Sequence, residues 1–88
     1  MYNDAYNNLI DKYILITTPK GSVLFKCLEI SGTFHEFKSD IVWLHLKCYI
    51  YKHSWQRDME GKMCFTNIYP DRRDWKILTE EEFKVEVI

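Results

Sequence analysis

The sequence is poor in the residues that mark flexible or repetitive chains: its 88 residues include three glycines and two prolines. Hydrophobic residues make up 47% of the chain and aromatic residues 16%, which excludes a disordered or low-complexity protein. A chain of this length is expected to fold as one domain. We divide it into an N-terminal segment, residues 1–12, and a β domain, residues 13–88.

The chain also lacks an excess of charge of either sign. Its 12 Lys and Arg residues stand against 13 Asp and Glu residues, for a formal net charge of −1. General nucleic-acid binders usually carry a basic excess, and a protein that imitates DNA needs a strongly acidic one. The balance therefore favours neither class, although it is compatible with a local charged patch.

Long apolar runs are missing too. No segment approaches the ~20 apolar residues of a membrane span, and the N-terminus, MYNDAYNNLIDKY, lacks the basic and apolar regions of a secretory signal. Cys27, Cys48 and Cys64 each lie within an apolar, strand-like run, which favours reduced, buried thiols over a disulfide framework. We therefore predict a cytoplasmic protein.

Motifs for catalysis, cofactors and metals are also lacking. The chain has no C-x-x-C or H-x₃-H spacing, and His45 and His53 would lie ~26 Å apart on one straight strand, too far to share a metal ion. It has no glycine-rich phosphate loop, and the carboxylates at 80–82 fit a helix N-terminus. We predict a protein that is not an enzyme and has no metal or cofactor; an enzyme using His45 or His53 is the remaining alternative.

The stretch from Ile41 to Trp55, IVWLHLKCYIYKHSW, organises the rest of the chain. Its alternation with a period of two predicts a long β-strand with two different faces. The aliphatic face, which can only belong to a core, consists of Val42, Leu44, Leu46, Cys48 and Ile50. The other face mixes aromatic and basic residues, namely Trp43, His45, Lys47, Tyr49, Tyr51, His53 and Trp55. This second face suits contact with another molecule, unless other strands or an N-terminal helix cover it.

A hairpin is predicted ahead of this strand. Tyr13–Thr18 and Val23–Ser31 are apolar and rich in β-branched residues, and Pro and Gly between them suit a type I turn. Gly32–Asp40 breaks the pattern and predicts a structured loop. Tyr2–Asp11 has helical spacing and predicts a short helix or, alternatively, an extended arm.

The remainder of the chain is divided by turn residues into short elements. They are a turn at 57–62, a strand at Met63–Tyr69, a turn at 70–74 and a strand at Trp75–Leu78. Thr79 and Glu82 then form the T-x-x-E pattern of a capping box, which predicts one helical turn. The alternation of Phe83, Val85 and Val87 predicts a closing strand.

Five or six short antiparallel strands on so few residues predict a mainly β fold, either a small barrel or a strongly bent sheet. In element order the chain resembles SH3-like barrels, which also place a helical turn before the last strand. The resemblance covers element order alone and includes no motif of their peptide-binding members. It therefore implies a fold and no ligand.

The aromatic and basic residues predict a binding protein. Aromatic rings give a large contact area at low entropic cost, and Arg holds carboxylates and phosphates with two parallel hydrogen bonds. We expect a partner-binding site formed by Trp43, His45, Lys47, Tyr49, Tyr51, Trp55, Arg72 and Arg73. The two arginines are included because they lie on a predicted turn beside a tryptophan.

The leading hypothesis is a phage-encoded accessory protein that binds and modulates a bacterial host protein in the cytoplasm. Abundant Ile, Lys, Asn and Tyr beside one alanine, Ala5, are typical of an A+T-rich genome, and such short chains are common among viral accessory genes of bacteria. One alternative is a small barrel that binds single-stranded nucleic acid with the same face. Another is a homodimer formed through the strand at 41–55.

Overall fold

The computed structural model describes residues 8–35, 42–68 and 74–88. Within these segments, five strands and one α-helix follow each other along the chain. They are β1 (Tyr13–Thr18), β2 (Gly21–His35), β3 (Val42–His53), β4 (Met63–Ile68), β5 (Trp75–Leu78) and α1 (Glu80–Val87), with a 3₁₀ turn at Arg57–Met59. The strands form one antiparallel sheet in the order β4-β3-β2-β1-β5. The predicted mainly β class is confirmed.

Strands β1 and β2 form the predicted hairpin, with Thr18 paired to Gly21 across a two-residue turn. β2 runs further than the sequence pattern predicts, as far as the pairing of His35 with Val42 of β3. The predicted structured loop at 32–40 is therefore wrong for its first residues, because pairing with β3 extends the strand through them. Residues 36–40 lie outside the described segments.

The two edges of the sheet are β4, which pairs with β3, and β5, which pairs with β1. β5 runs antiparallel to β1, with Tyr13 opposite Leu78 and Ile16 opposite Trp75. In the described part of the chain, no pairing joins β4 to β5, so the sheet is open there. Closure into an SH3-like barrel stays a prediction.

One face of the sheet carries the main hydrophobic core. The predicted aliphatic face of β3 is confirmed, since Leu44, Leu46 and Cys48 are fully buried and Ile50 is 4% exposed. The side chain of Val42 lies outside the described part of the structure. Strands β1, β2 and β4 and the N-terminal turn complete this core with Leu9, Ile14, Phe25, Cys27, Ile30 and Ile68. Truncating a fully buried leucine of this kind to alanine typically costs ~2–5 kcal/mol of stability.

A bulge in β3 reverses the alternation near its end. Phe25 pairs with Ile50 and Leu24 with Lys52, so Tyr51 is the extra residue on β3. Because an inserted residue shifts every later side chain to the opposite face, His53 lies on the core side and is 8% exposed. The strict alternation had placed His53 with the aromatic and basic face, and that prediction is wrong.

Helix α1 replaces the predicted closing strand. The predicted capping box is confirmed: Glu82 N donates to Thr79 Oγ1 (3.2 Å) and Thr79 N donates to Glu82 Oε1 (3.0 Å). The hydrogen bonds that the Glu82 carboxylate makes with Thr79 lower the pKa of Glu82, because they favour its ionised form. Phe83 and Val87 are half-buried four residues apart, as on one helix face, whereas Val85 between them is 72% exposed. The alternation of Phe83, Val85 and Val87 is also compatible with a strand, but the capping box at Thr79 and Glu82 favours a helix.

Two large apolar residues lie on the surface of the edge strands. Phe65 of β4 is 59% exposed and Ile77 of β5 is 38% exposed. On β4 the core side is occupied by Ile68 and, half-buried, by Cys64, so the alternation of the strand turns Phe65 outward. A large apolar residue on a short strand indicates that the segment is a strand, but it does not show which face of the strand is buried.

The N-terminal prediction falls partly outside the described residues, which begin at Asn8. Asn8 and Leu9 have 3₁₀ conformation, and Lys12 N donates to Leu9 O (3.1 Å). Leu9 is 3% exposed and belongs to the main core. Within the described segments, no helix has both the length and the apolar character needed to cross a membrane.

Candidate functional site

The aromatic and basic residues predicted to bind a partner are divided among separate places in the fold. The structure puts Trp43 and Trp55 in a cleft, Tyr49 and Tyr51 in a ring cluster that includes a residue of α1, and His45 and Lys47 opposite β4. Arg72 and Arg73 lie outside the described residues, so their predicted role stays a prediction.

The tyrosines of β3 belong to a cluster of aromatic rings that holds α1 on the sheet. Phe83 of α1 stacks on Tyr13 with centroids 3.8 Å apart and meets the edge of Tyr51 at 4.8 Å. Tyr51 also contacts Tyr49 (5.0 Å) and Tyr13 (6.0 Å). Burial raises the pKa of Tyr51. These rings therefore have a packing role that accounts for their presence on the strand.

The outer face of β3 and β4 remains partly exposed. His45 stacks on Phe65 with centroids 5.2 Å apart and nearly parallel planes, and its Nδ1 donates to Asn67 Oδ1 (2.7 Å). Lys47 lies opposite Phe65 in the register, and Tyr49 lies opposite Met63. We name this surface the β3–β4 patch and define it as His45, Lys47, Tyr49, Met63 and Phe65.

The patch exposes two large apolar side chains on an edge strand. Met63 is 62% exposed and Phe65 is 59% exposed. The sequence prediction missed both as contact residues, although the alternation of β4 contained the signal. If Cys64 faces the core with the other cysteines, Met63 and Phe65 must face outward.

A second candidate site is a cleft that contains all three tryptophans of the chain, Trp43, Trp55 and Trp75. Its volume is about 290 Å³, and residues of all five strands line it. Because β4 and β5 are the two edges of the sheet and both contribute, the sheet must bend strongly enough to bring its edges to one cavity. We name this cavity the tryptophan cleft.

Hydrogen bonds at the end of β3 hold His53, whose ring contacts Trp55 in the cleft. His53 Nδ1 accepts from Gln56 N (3.1 Å), and His53 N donates to Glu60 Oε2 (3.0 Å). The imidazole ring meets Trp55 edge to face, with centroids 4.4 Å apart. The buried histidine is therefore a support for the tryptophan, and in this geometry its Nδ1 carries no proton.

The turn between β1 and β2 makes room for the same tryptophan. Ser22 N donates to Ser54 Oγ (2.9 Å) and Ser54 N donates to Ser22 O (3.0 Å), which ties the end of β3 to this turn. A Cβ at Gly21 would lie 3.3 Å from Trp55 Cε3 and would overlap Ser54 Oγ. The glycine therefore lets Ser54 and Trp55 pack directly over the turn.

The three cysteines lie side by side across β2, β3 and β4. Cys27 pairs with Cys48, and Cys48 pairs with Cys64, whose sulfur is 3.7 Å from that of Cys48. All three are free thiols, as predicted, and Cys27 and Cys48 are buried. Burial raises the pKa of Cys27 to about 11 and that of Cys48 to about 12. Neither of these two is a thiolate near pH 7, so neither is suited to act as a nucleophile.

No metal site is evident in the described segments, where no group of three or more His, Cys, Asp or Glu side chains is arranged to hold an ion. Comparison of the chain with protein-family models, curated proteins and solved structures found no match in any of the three.

Proposed function

We propose that this chain is a small protein-binding module that contacts its partner through the β3–β4 patch. The observation that carries the proposal is the exposure of Met63 (62%) and Phe65 (59%) side by side on an edge strand. Exposed apolar residues that adjoin one another, with polar groups around them, are typical of interaction sites. Met and aromatic residues are also enriched in interfaces relative to the rest of a protein surface.

The arrangement of the patch matches a contact with an apolar centre and a polar rim. Phe65 occupies the centre, where His45 stacks on its ring and Lys47 lies opposite it in the register. Asn67 holds His45 in place through their 2.7 Å hydrogen bond. We therefore expect Phe65 to be the residue that contributes most to binding, because central aromatic residues dominate interface energetics.

The partner we propose is a bacterial host protein, and the chain is then a phage-encoded accessory factor acting in the cytoplasm. The support for this part is the composition typical of an A+T-rich genome. Closure of the sheet into an SH3-like barrel also belongs to the proposal, and its support is that both sheet edges line the tryptophan cleft. The binding role of the patch is independent of both.

The experiment is a pull-down from a bacterial lysate with the wild-type chain and three variants, before and after nuclease treatment and at two salt concentrations. Phe65→Ala and Met63→Ala remove the apolar centre. Val85→Ala is the matched control, because Val85 is an apolar residue that is 72% exposed on α1. Each variant is first compared with the wild type by thermal unfolding, where we expect little change for side chains this exposed.

We expect one stoichiometric protein to be retained after nuclease by the wild type and by Val85→Ala. Phe65→Ala should weaken that complex about 30-fold, which corresponds to ~2 kcal/mol. Equal retention by Phe65→Ala and the wild type would show that the β3–β4 patch is not the contact site.

One observation favours single-stranded nucleic acid as a second candidate ligand. The stacked rings of His45 and Phe65, with Lys47 beside them, provide an aromatic surface and a cation of the kind that bases and phosphates contact. Such binding falls steeply with salt, whereas a contact with an apolar centre changes little. Loss of the retained material on nuclease treatment or at moderate salt would put this candidate first.

A homodimer is the outcome if the purified chain associates with itself through β4. Light scattering of wild type and Phe65→Ala distinguishes it, since a dimer through the patch should dissociate in the variant. A wild-type dimer that retains nothing from the lysate would make the second copy the partner.

A further inference from the structure

We infer that the tryptophan cleft is a second binding site, which takes a small organic cation with a trimethylammonium head group. The cleft shares no residue with the β3–β4 patch, although Asn67, which lines the cleft, also holds His45 of the patch. Three indole rings line a cavity of about 290 Å³, at the lower end of the ~300–1,000 Å³ typical of small-molecule sites. The cavity is therefore suited to a head group with a short stem.

The sign of the charge follows from the lining residues. The faces of indole rings carry negative charge density and attract cations, and tryptophan is the strongest of the aromatic residues in this respect. Among the described residues that line the cleft, Asp74 is the only one with a carboxylate, and none is Lys or Arg. Within this described lining, an anionic ligand would meet no Lys or Arg side chain.

The methylation of the head group follows from hydrogen bonding. A primary ammonium has three N–H donors that need acceptors when they leave water, and indole faces are poor substitutes for such acceptors. A trimethylammonium group has no N–H and presents methyl groups to the rings. The aliphatic residues that share the cleft, Ile16, Val23 and Ile68, suit the same methyl surface.

The cleft is held in shape before any ligand enters. Trp75 packs against the main core, and Trp55 is supported by His53 and by the turn at Gly21. Because little ordering is left to occur on binding, a small ligand can bind with useful affinity. Trp55 is 38% exposed and so lies where a ligand would enter from solvent.

The test is a titration of the full chain with choline, followed by tryptophan fluorescence and by calorimetry. The first control is the neutral isostere of choline, in which a tert-butyl group replaces the trimethylammonium group, and the second is sodium chloride at equal concentration. We expect saturable binding of choline in the millimolar range or tighter, and binding of the isostere at least about fivefold weaker. That ratio corresponds to ~1 kcal/mol, a typical cation–π contribution.

Two variants test the location. Trp55→Leu keeps an apolar side chain but removes the indole face, and we expect it to weaken choline about fivefold and to leave the neutral isostere nearly unchanged. Phe65→Leu is the matched control, since it removes an exposed aromatic ring outside the cleft and should leave both ligands unchanged. Far-UV circular dichroism confirms that both variants are folded.

Either of two results would overturn the inference. If choline gives no saturable signal, or binds no more tightly than the neutral isostere, the cleft does not select a cation; neither result depends on any variant. A peptide containing trimethyllysine carries the same head group on a chain. If that peptide binds more tightly than choline, the ligand of the cleft is a methylated protein. If choline binds more tightly, the ligand is a free small molecule.

Discussion

Replacing Gly21 by alanine tests how the turn between β1 and β2 supports the tryptophan cleft. Gly21 has φ of +140°, a conformation that costs a residue with a side chain about 1–3 kcal/mol. The new Cβ would also displace Ser54 Oγ and break its hydrogen bond with Ser22 N, worth ~1 kcal/mol. We therefore expect Gly21→Ala to lower the free energy of unfolding by about 2–4 kcal/mol.

Gly32 provides a matched control for the conformational part of this cost. Its φ is +155°, and a Cβ built on it meets no atom of the described residues within 4 Å. Gly32→Ala should therefore lose only the cost of the left-handed backbone, about 1–3 kcal/mol, without the loss at Ser54. The difference between the two variants isolates the steric contact under Trp55.

The assay is urea unfolding followed by far-UV circular dichroism, with tryptophan fluorescence as a second probe of the cleft. Ser54→Ala is made alone and together with Gly21→Ala. Because both changes remove the same hydrogen bond, their combined effect should be smaller than the sum of the single effects. Two results together would contradict this explanation. Gly21→Ala would lower the free energy of unfolding no more than Gly32→Ala does, and its effect would be fully additive with that of Ser54→Ala.

Three further predictions concern the helix and the thiols. Phe83→Ala should lower the free energy of unfolding, measured in urea, by about 2–3 kcal/mol, because it removes half-buried apolar surface and two aromatic contacts worth ~0.5–1.5 kcal/mol each. Val85→Ala should change the free energy of unfolding little, because Val85 is exposed. Equal effects of the two substitutions would contradict the packing of α1. Thr79→Ala should cost ~1 kcal/mol and reduce the helical far-UV signal, and an unchanged signal would rule out the cap. The pKa values of Cys27 and Cys48 are raised from 9.0 to about 11 and about 12, so the stability that they contribute is full below pH 9 and falls as pH rises through those values. Urea unfolding from pH 8 upward should show a loss of at most ~1.4 kcal/mol per pH unit for each thiol, and a Cys27→Ala variant with an unchanged slope would contradict this.

Local patterns were sufficient to predict much of the fold. Strands β1 and β5 begin and end where their apolar runs do, and the alternation of β3 identified Leu44, Leu46 and Cys48 as buried. The capping box was predictable because the two residues that form it are three positions apart. In each case the deciding interaction lies within one element or between neighbouring elements.

The remaining features depend on residues that are distant in the sequence. The extra residue at Tyr51 is defined by pairing with β2, and it moves His53 to the core side. The tryptophan cleft needs Trp75, which the pairing of β5 with β1 brings to Trp43 and Trp55. Nothing in the single strand at 41–55 indicates either event, so the sequence pattern grouped residues that the fold separates.

The position of β5 beside β1 has a consequence for the order of folding. Each pairing among β1 to β4 is between strands that are consecutive in the chain, so each closes a short loop. The pairing of β5 with β1 instead closes a loop that contains most of the chain. Pairings that close long loops form slowly, because the loop entropy is lost before the contacts are gained. We therefore expect the sheet to assemble from its hairpins first and Trp75 to arrive last. A ligand of the cleft would then recognise the finished fold alone and would slow its unfolding without hastening its formation.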